Sequence, residues 1–130
     1  MQQENLVLVQ ALYAAYMAGD RSAVAAGMTP NIRWHNSGFD PTAGTYEGVE
    51  GVLGFLMAEN HLEDFALEVV DMLSSDERVA IIGRTTGRRG SNRIVNDFVQ
   101  VIRLEDRRVS EVWNYYWDQR ALAQLMSAPV

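Results

Sequence analysis

The chain has 130 residues, 48% apolar and 22% charged, with 11 arginines, no lysine, 17 acidic residues and a net charge of −6. That profile fits one soluble globular domain spanning 1–130, long enough to bury roughly two thirds of the surface its extended chain exposes. The lack of cysteine excludes a disulfide scaffold, a thiolate zinc site and a thiol nucleophile. The acidic balance opposes a nucleic-acid partner, which needs clustered cations. No apolar run approaches the ~20 residues of a membrane span, and Met1-Gln2-Gln3-Glu4-Asn5 lacks a basic leader, so a cytoplasmic protein with no membrane partner is expected.

Leu6, Val9, Tyr13 and Tyr16 recur at helical spacing and predict an amphipathic helix over 6–17. Gly19 is suited to end it, Asp20 to cap a shorter second helix, and Thr29-Pro30 to stop that one. Ile32 to Asn36 alternates as a strand and opens into the turn-rich stretch 37–44. After Gly48 a third helix, with Val49, Val52, Leu53 and Leu56 on one face, is expected to run to about Asn60. From there the period changes to two. Segments 65–73, 79–86, 94–104 and 109–117 are rich in β-branched and aromatic residues, and their short polar separators predict an antiparallel meander of four strands. A last helix is expected over 118–126. This order is α+β, with helices on one face of a curved sheet and a pocket where they fail to fill it.

Met17-Ala18-Gly19-Asp20, Ile32-Arg33-Trp34-His35, Ala43-Gly44-Thr45-Tyr46-Glu47-Gly48, 99–104 and 109–115 followed by Asp118-Gln119 together resemble the nuclear transport factor 2-like (NTF2-like) superfamily. Within it the chain is most similar to the SnoaL-like polyketide cyclases and ketosteroid-isomerase relatives. The resemblance implies a cone-shaped, cystatin-like half barrel, a pocket inside the cone and a homodimer through the outer sheet face. It implies no cofactor. It also places the isomerases' base at Asn36, their oxyanion-hole acid at Gln100 and their helix-1 tyrosine at Leu12. An amide cannot take up a proton near neutral pH, so steroid isomerisation is not expected. In limonene epoxide hydrolase, a second relative, the strand-1 Tyr and Asn correspond to Trp34 and Asn36 and the Arg to Arg84. Its two carboxylates fall on Thr86 and near Asn114 or Tyr115, which leaves no base for water.

Alternation carried through these anchors predicts an inward set: Trp34 and Asn36; Ile82, Arg84 and Thr86; Asn96, Phe98 and Gln100; Glu111, Trp113 and Tyr115. Tyr16 and Phe55 form the facing wall. The aromatics read as substrate contacts or simply as core. Asn36 and Gln100 hold a carbonyl or enol oxygen, or else form a structural amide network. An inward Arg84 needs a partner, and Glu111 is the obvious one, unless either acts on substrate. Asp97 and His35 point outward by this parity. If the register slips by one, His35 becomes the base, while His61 lies at a helix end near the pocket mouth. Two lone histidines offer no metal site. The outward patch is expected to include Val99, Val101, Val112 and Tyr116. The functional expectation is a cofactor-independent enzyme of cyclase, isomerase or hydrolase type on a hydrophobic carbonyl compound. In it Asn36, Gln100 and Arg84 would stabilise an enol, and Glu111 or His35 would move the proton. The alternative is a non-catalytic ligand-binding or dimerisation module.

Overall fold

In the computed structural model, which describes residues 2–57 and 62–127, helix α1 (Gln2–Met17) carries the predicted apolar stripe, with Val9 fully buried. Gly19 ends the turn after it at φ 71°, and the Asp20 side chain accepts from Ala23 N–H at 3.1 Å to start α2 (Arg21–Ala26). Helix α2 stops at Gly27, ahead of Thr29-Pro30, where the backbone passes so close to Leu12 that a Cβ would lie 2.2 Å from its side chain. Strand β1 (Met28–Asn36) therefore begins earlier than Ile32. From the end of the expected loop, at Gly44, runs a further short strand that was not expected, β2 (Gly44–Glu47), antiparallel to β1. Helix α3 (Gly48–Leu56) follows. Its expected extension to Asn60 and the placement of His61 fall outside the described residues.

The meander forms as expected: β3 (Glu63–Ser74), β4 (Arg78–Arg89), β5 (Asn92–Glu105) and β6 (Arg108–Tyr116), then α4 (Gln119–Ser127). The six strands form one curved, open sheet in the order β2-β1-β6-β5-β4-β3. β1 lies parallel to β6, so the first long strand sits beside the last and Asn36 comes opposite Asn114. Val9, Ile32, Val52, Leu53, Val79, Ile81 and Val112 are fully buried between the helices and the inner sheet face. Among the described residues no helix is long and apolar enough to cross a membrane.

Cross-strand partners share a face, so β5 fixes its neighbours. Gln100 lies opposite Ile81 and Asn114, and Phe98 opposite Gly83 and Tyr116. Ile81, Gly83 and Thr85 thus face inward on β4, and Val112, Asn114 and Tyr116 on β6. The expected inward positions Ile82, Arg84, Thr86, Glu111, Trp113 and Tyr115 are instead on the outer face, and the expected outward positions Val112 and Tyr116 are inside. On β6 the cause is a bulge: Glu111 pairs with Arg103 but Val109 with Leu104, leaving Ser110 extra and reversing the alternation. On β4 the cause is charge. Arg84 lies directly opposite Asp97 on the exposed face and donates to it at 2.8 Å, so Glu111 is not its partner.

Gly83 belongs to this packing. A Cβ there would lie 2.4 Å from the Phe98 ring and 2.9 Å from the Glu68 carbonyl oxygen. Gly83→Ala is expected to destabilise the fold by about 1–3 kcal/mol, read as a lower midpoint in urea unfolding.

Candidate functional site

A cavity of about 180 Å³ remains between the inner sheet face and the helices. Helix α1 supplies Leu12, Tyr13 and Tyr16, α3 supplies Phe55 and Leu56, and α4 supplies Leu122 and Met126. Phe55 packs on Tyr46 (ring centroids 4.4 Å) and against Trp34 (5.9 Å), so α3 and β2 brace one aromatic wall. Helix α4 is held by Asn96, whose side chain donates to the Asp118 carbonyl at 3.1 Å and accepts from its N–H at 3.0 Å. Among the described lining residues none is Asp, Glu, Arg or His.

Polar groups enter this apolar chamber as one connected chain. Tyr13 Oη donates to Gln100 Oε1 (2.6 Å), Gln100 Nε2 to Asn114 Oδ1 (3.5 Å), and Asn114 Nδ2 to Asn36 Oδ1 (2.9 Å). Asn36 Nδ2 then donates to the Thr42 carbonyl (3.1 Å) and hydroxyl oxygen (3.2 Å). Thr42 donates through its N–H (2.8 Å) and its hydroxyl to Asp40 Oδ1. Asp40 is buried, and its Oδ2 has no hydrogen-bond partner. Burial pushes the Tyr13 phenol far above its ordinary pKa and raises Tyr116 to about 12, with the Asp40 charge adding to the rise at Tyr116. The indole N–H of Trp34, in the cavity wall, is likewise buried and unpartnered.

Of the residues singled out from sequence, Tyr16, Trp34, Phe55, Phe98 and Gln100 line the cavity, and Asn36 is buried in the hydrogen-bond chain. Arg84, Glu111, His35, Trp113 and Tyr115 do not reach it. On the outer face His35 stacks on Trp113 (5.7 Å), its Nε2 lies 2.5 Å from Glu111 Oε2, and its Nδ1 lies 2.9 Å from Thr45 Oγ1. Sequence reasoning missed Tyr13, Asn114, Tyr116, Thr42 and Asp40 as members of the site. The uncharged parity of β6 (Val112, Asn114, Tyr116) was a signal for two of them. Among the described residues no group of three or more His, Asp and Glu is placed to hold a metal ion.

A family model described as the SnoaL-like domain matches residues 9–112. No curated relative matches the sequence. Among solved structures, an NTF2-like protein from Burkholderia xenovorans LB400 is 26% identical, with 98% of each chain covered and a TM-score of 0.86. Bal32a, from a soil-derived mobile gene cassette, is 25% identical over 96% of this chain and 98% of its own, with a TM-score of 0.89. A candidate SnoaL-like polyketide cyclase from Jannaschia sp. CCS1 shares the fold at 20% identity, with 100% of this chain and 96% of its own covered and a TM-score of 0.84.

Because Arg84 and Asp97 pair on the outer face, away from the cavity, Arg84→Ala is expected to leave ligand binding within about two-fold of wild type. Titration calorimetry of the variant checks this.

Proposed function

The chain belongs to the SnoaL-like domain family, and from that premise we propose that residues 1–130 act as one such domain, binding an uncharged, largely apolar, carbonyl-bearing small molecule in the cone. The observation that carries this reading is the lining: aromatic and aliphatic walls, no charged side chain among the described lining residues, and one cluster of amide and phenol groups at Gln100, Asn114 and Tyr13. A charged ligand would lose its hydration there without a counter-charge. A neutral carbonyl loses little, and an amide N–H restores its hydrogen bond. Trp34, Phe55, Phe98 and Tyr16 supply the contact area and Gln100 the polar anchor, with Asn36 behind it holding Asn114 in place. We place the protein in the cytoplasm, acting without a cofactor.

A second reading is catalysis of cyclase or isomerase type, and Asp40 is the observation that favours it. Its carboxyl group is buried with one oxygen unpartnered, and its charge reaches Tyr116 in the cavity wall. Enolisation of a ketone held by Gln100 would then use Asp40, which does not itself line the cavity, as the proton acceptor through a bridging water. In that case Asp40→Asn removes turnover and keeps binding.

The binding reading is tested with 2-acetylnaphthalene, a neutral aryl ketone. Wild type is expected to show a raised melting temperature with increasing ketone. Gln100→Leu should lose most of that rise, about ten-fold in affinity, each protein being read against its own ligand-free melting temperature. No rise with any neutral aryl ketone would refute the reading.

We further propose a homodimer joined by the outer sheet face, where Ile82, Val95, Val99 and Tyr115 are exposed. Light scattering at micromolar concentration is expected to return twice the chain mass, and Val99→Glu to return the monomer.

A further inference from the structure

The loop after β1 decides what the cavity asks of a ligand. A backbone carbonyl can only accept hydrogen bonds, and that of Thr42 takes two, from Asn36 Nδ2 at 3.1 Å and Tyr46 Oη at 2.7 Å. Asn36 must therefore turn its amide nitrogen to the loop and its Oδ1 toward Asn114, whose Nδ2 donates to it at 2.9 Å. Asn114 Oδ1 is then left to accept from Gln100 Nε2 at 3.5 Å. Gln100 Oε1 in turn takes the Tyr13 hydroxyl proton at 2.6 Å. The amides pass this direction along, because a side-chain amide carries its donor and acceptor on different atoms, while the Tyr116 hydroxyl, which also bonds Asn36 and Asn114, adapts to it. Asp40 holds the origin of the chain in place by accepting the Thr42 N–H at 2.8 Å together with the Thr42 hydroxyl.

We infer that this fixed direction makes Tyr13 Oη a hydrogen-bond acceptor toward the cavity, so that the pocket selects neutral aryl or enol compounds whose own O–H donates to Tyr13. The hydroxyl proton of Tyr13 is already committed to Gln100, and only oxygen lone pairs remain for a ligand. The second N–H of Gln100, on the same amide, offers the complementary donor. The preferred ligand therefore carries a hydroxyl and a carbonyl oxygen side by side on an apolar frame. Burial keeps the Tyr13 phenol protonated well beyond neutral pH, so the pattern does not change there. Asp40 is a positioning residue in this scheme. The inference rests on the neutral-ligand reading above and narrows its ligand class.

Titration calorimetry with 2-naphthol and 2-methoxynaphthalene tests it, since the two probes share an apolar frame and differ in the O–H. Wild type is expected to bind 2-naphthol about ten-fold more tightly, the worth of one hydrogen bond in a dry site. Tyr13→Phe should erase that preference and leave 2-methoxynaphthalene within about two-fold. Asp40→Ala should narrow it, and Asp40→Asn, which keeps an acceptor for Thr42, should restore it. Equal binding of the two probes by wild type, or a preference that survives Tyr13→Phe, overturns the inference and leaves the neutral-ligand reading standing. Binding of neither probe overturns the inference, and the aryl-ketone titration above then decides the neutral-ligand reading. If Tyr13→Phe fails to fold, the wild-type pair of probes still decides.

Discussion

An unpaired charge inside the cone would cost several kcal/mol, and that cost chooses the face of every strand around the cavity. Strand β1 sends Arg33 and His35 outward and keeps Ile32, Trp34 and Asn36. β5 sends Arg93, Asp97 and Arg103 outward and keeps Asn96, Phe98 and Gln100, while β6 sends Glu111 outward and keeps Asn114. The outward charges then meet as neighbours, Arg84 with Asp97 and Arg33 with Glu47. The inward polar groups of the strands are amides, joined to one another and to the Tyr13 phenol. The buried carboxyl group of the site, Asp40, belongs to the loop after β1, where it accepts from Thr42.

Volume is settled by the same strands. Gly83 gives up its side chain so that the Phe98 ring can lie across β4, and Gly27 lets the α2–β1 turn close on Leu12. Helices α1 and α3 lay aromatic rings against the curved sheet, but flat rings stacked or tilted on a concave surface do not fill it. What is left is a chamber walled by Tyr16, Trp34, Phe55 and Phe98. Its shape is fixed by β5 and α1, elements with long registers or deep burial, and its polar end by the loop between β1 and β2.

The element order was readable from periodicity because each helix and long strand repeats its pattern over several turns or pairs, and the resemblance to NTF2-like proteins set the sheet around it. Gln100 and Asn36 were found because β1 and β5 run without interruption, so one anchor assigns the strand. β6 failed at Ser110: a single extra residue reverses every later side chain, and nothing in Val109-Ser110-Glu111 marks a bulge. β4 failed for a different reason. Glu111 was offered as the partner that made an inward Arg84 tolerable, whereas the even positions of that strand carry Arg84 and Arg88 and the odd ones Ile81, Gly83 and Thr85. Counting charges on each parity selects the correct face. Asp40 and Thr42 escaped because their role depends on a side chain three elements away, and local turn chemistry explains both residues without it.

Asn36 and Gln100 are joined through Asn114 into one chain of amides. Amides change what such a site can transmit. A carboxylic acid sets its donor or acceptor character by its protonation state and so by pH and burial. An amide has both characters at once and passes a direction along without changing charge. The direction starts at a backbone carbonyl, crosses β1, β6 and β5, and ends on a helix-1 phenol. The amides along this run do not titrate near neutral pH, and burial holds Tyr13 and Tyr116 in the neutral form there. The cavity thus keeps one hydrogen-bonding pattern under conditions in which a buried carboxyl pair would titrate, and recognition by geometry takes the place of recognition by charge.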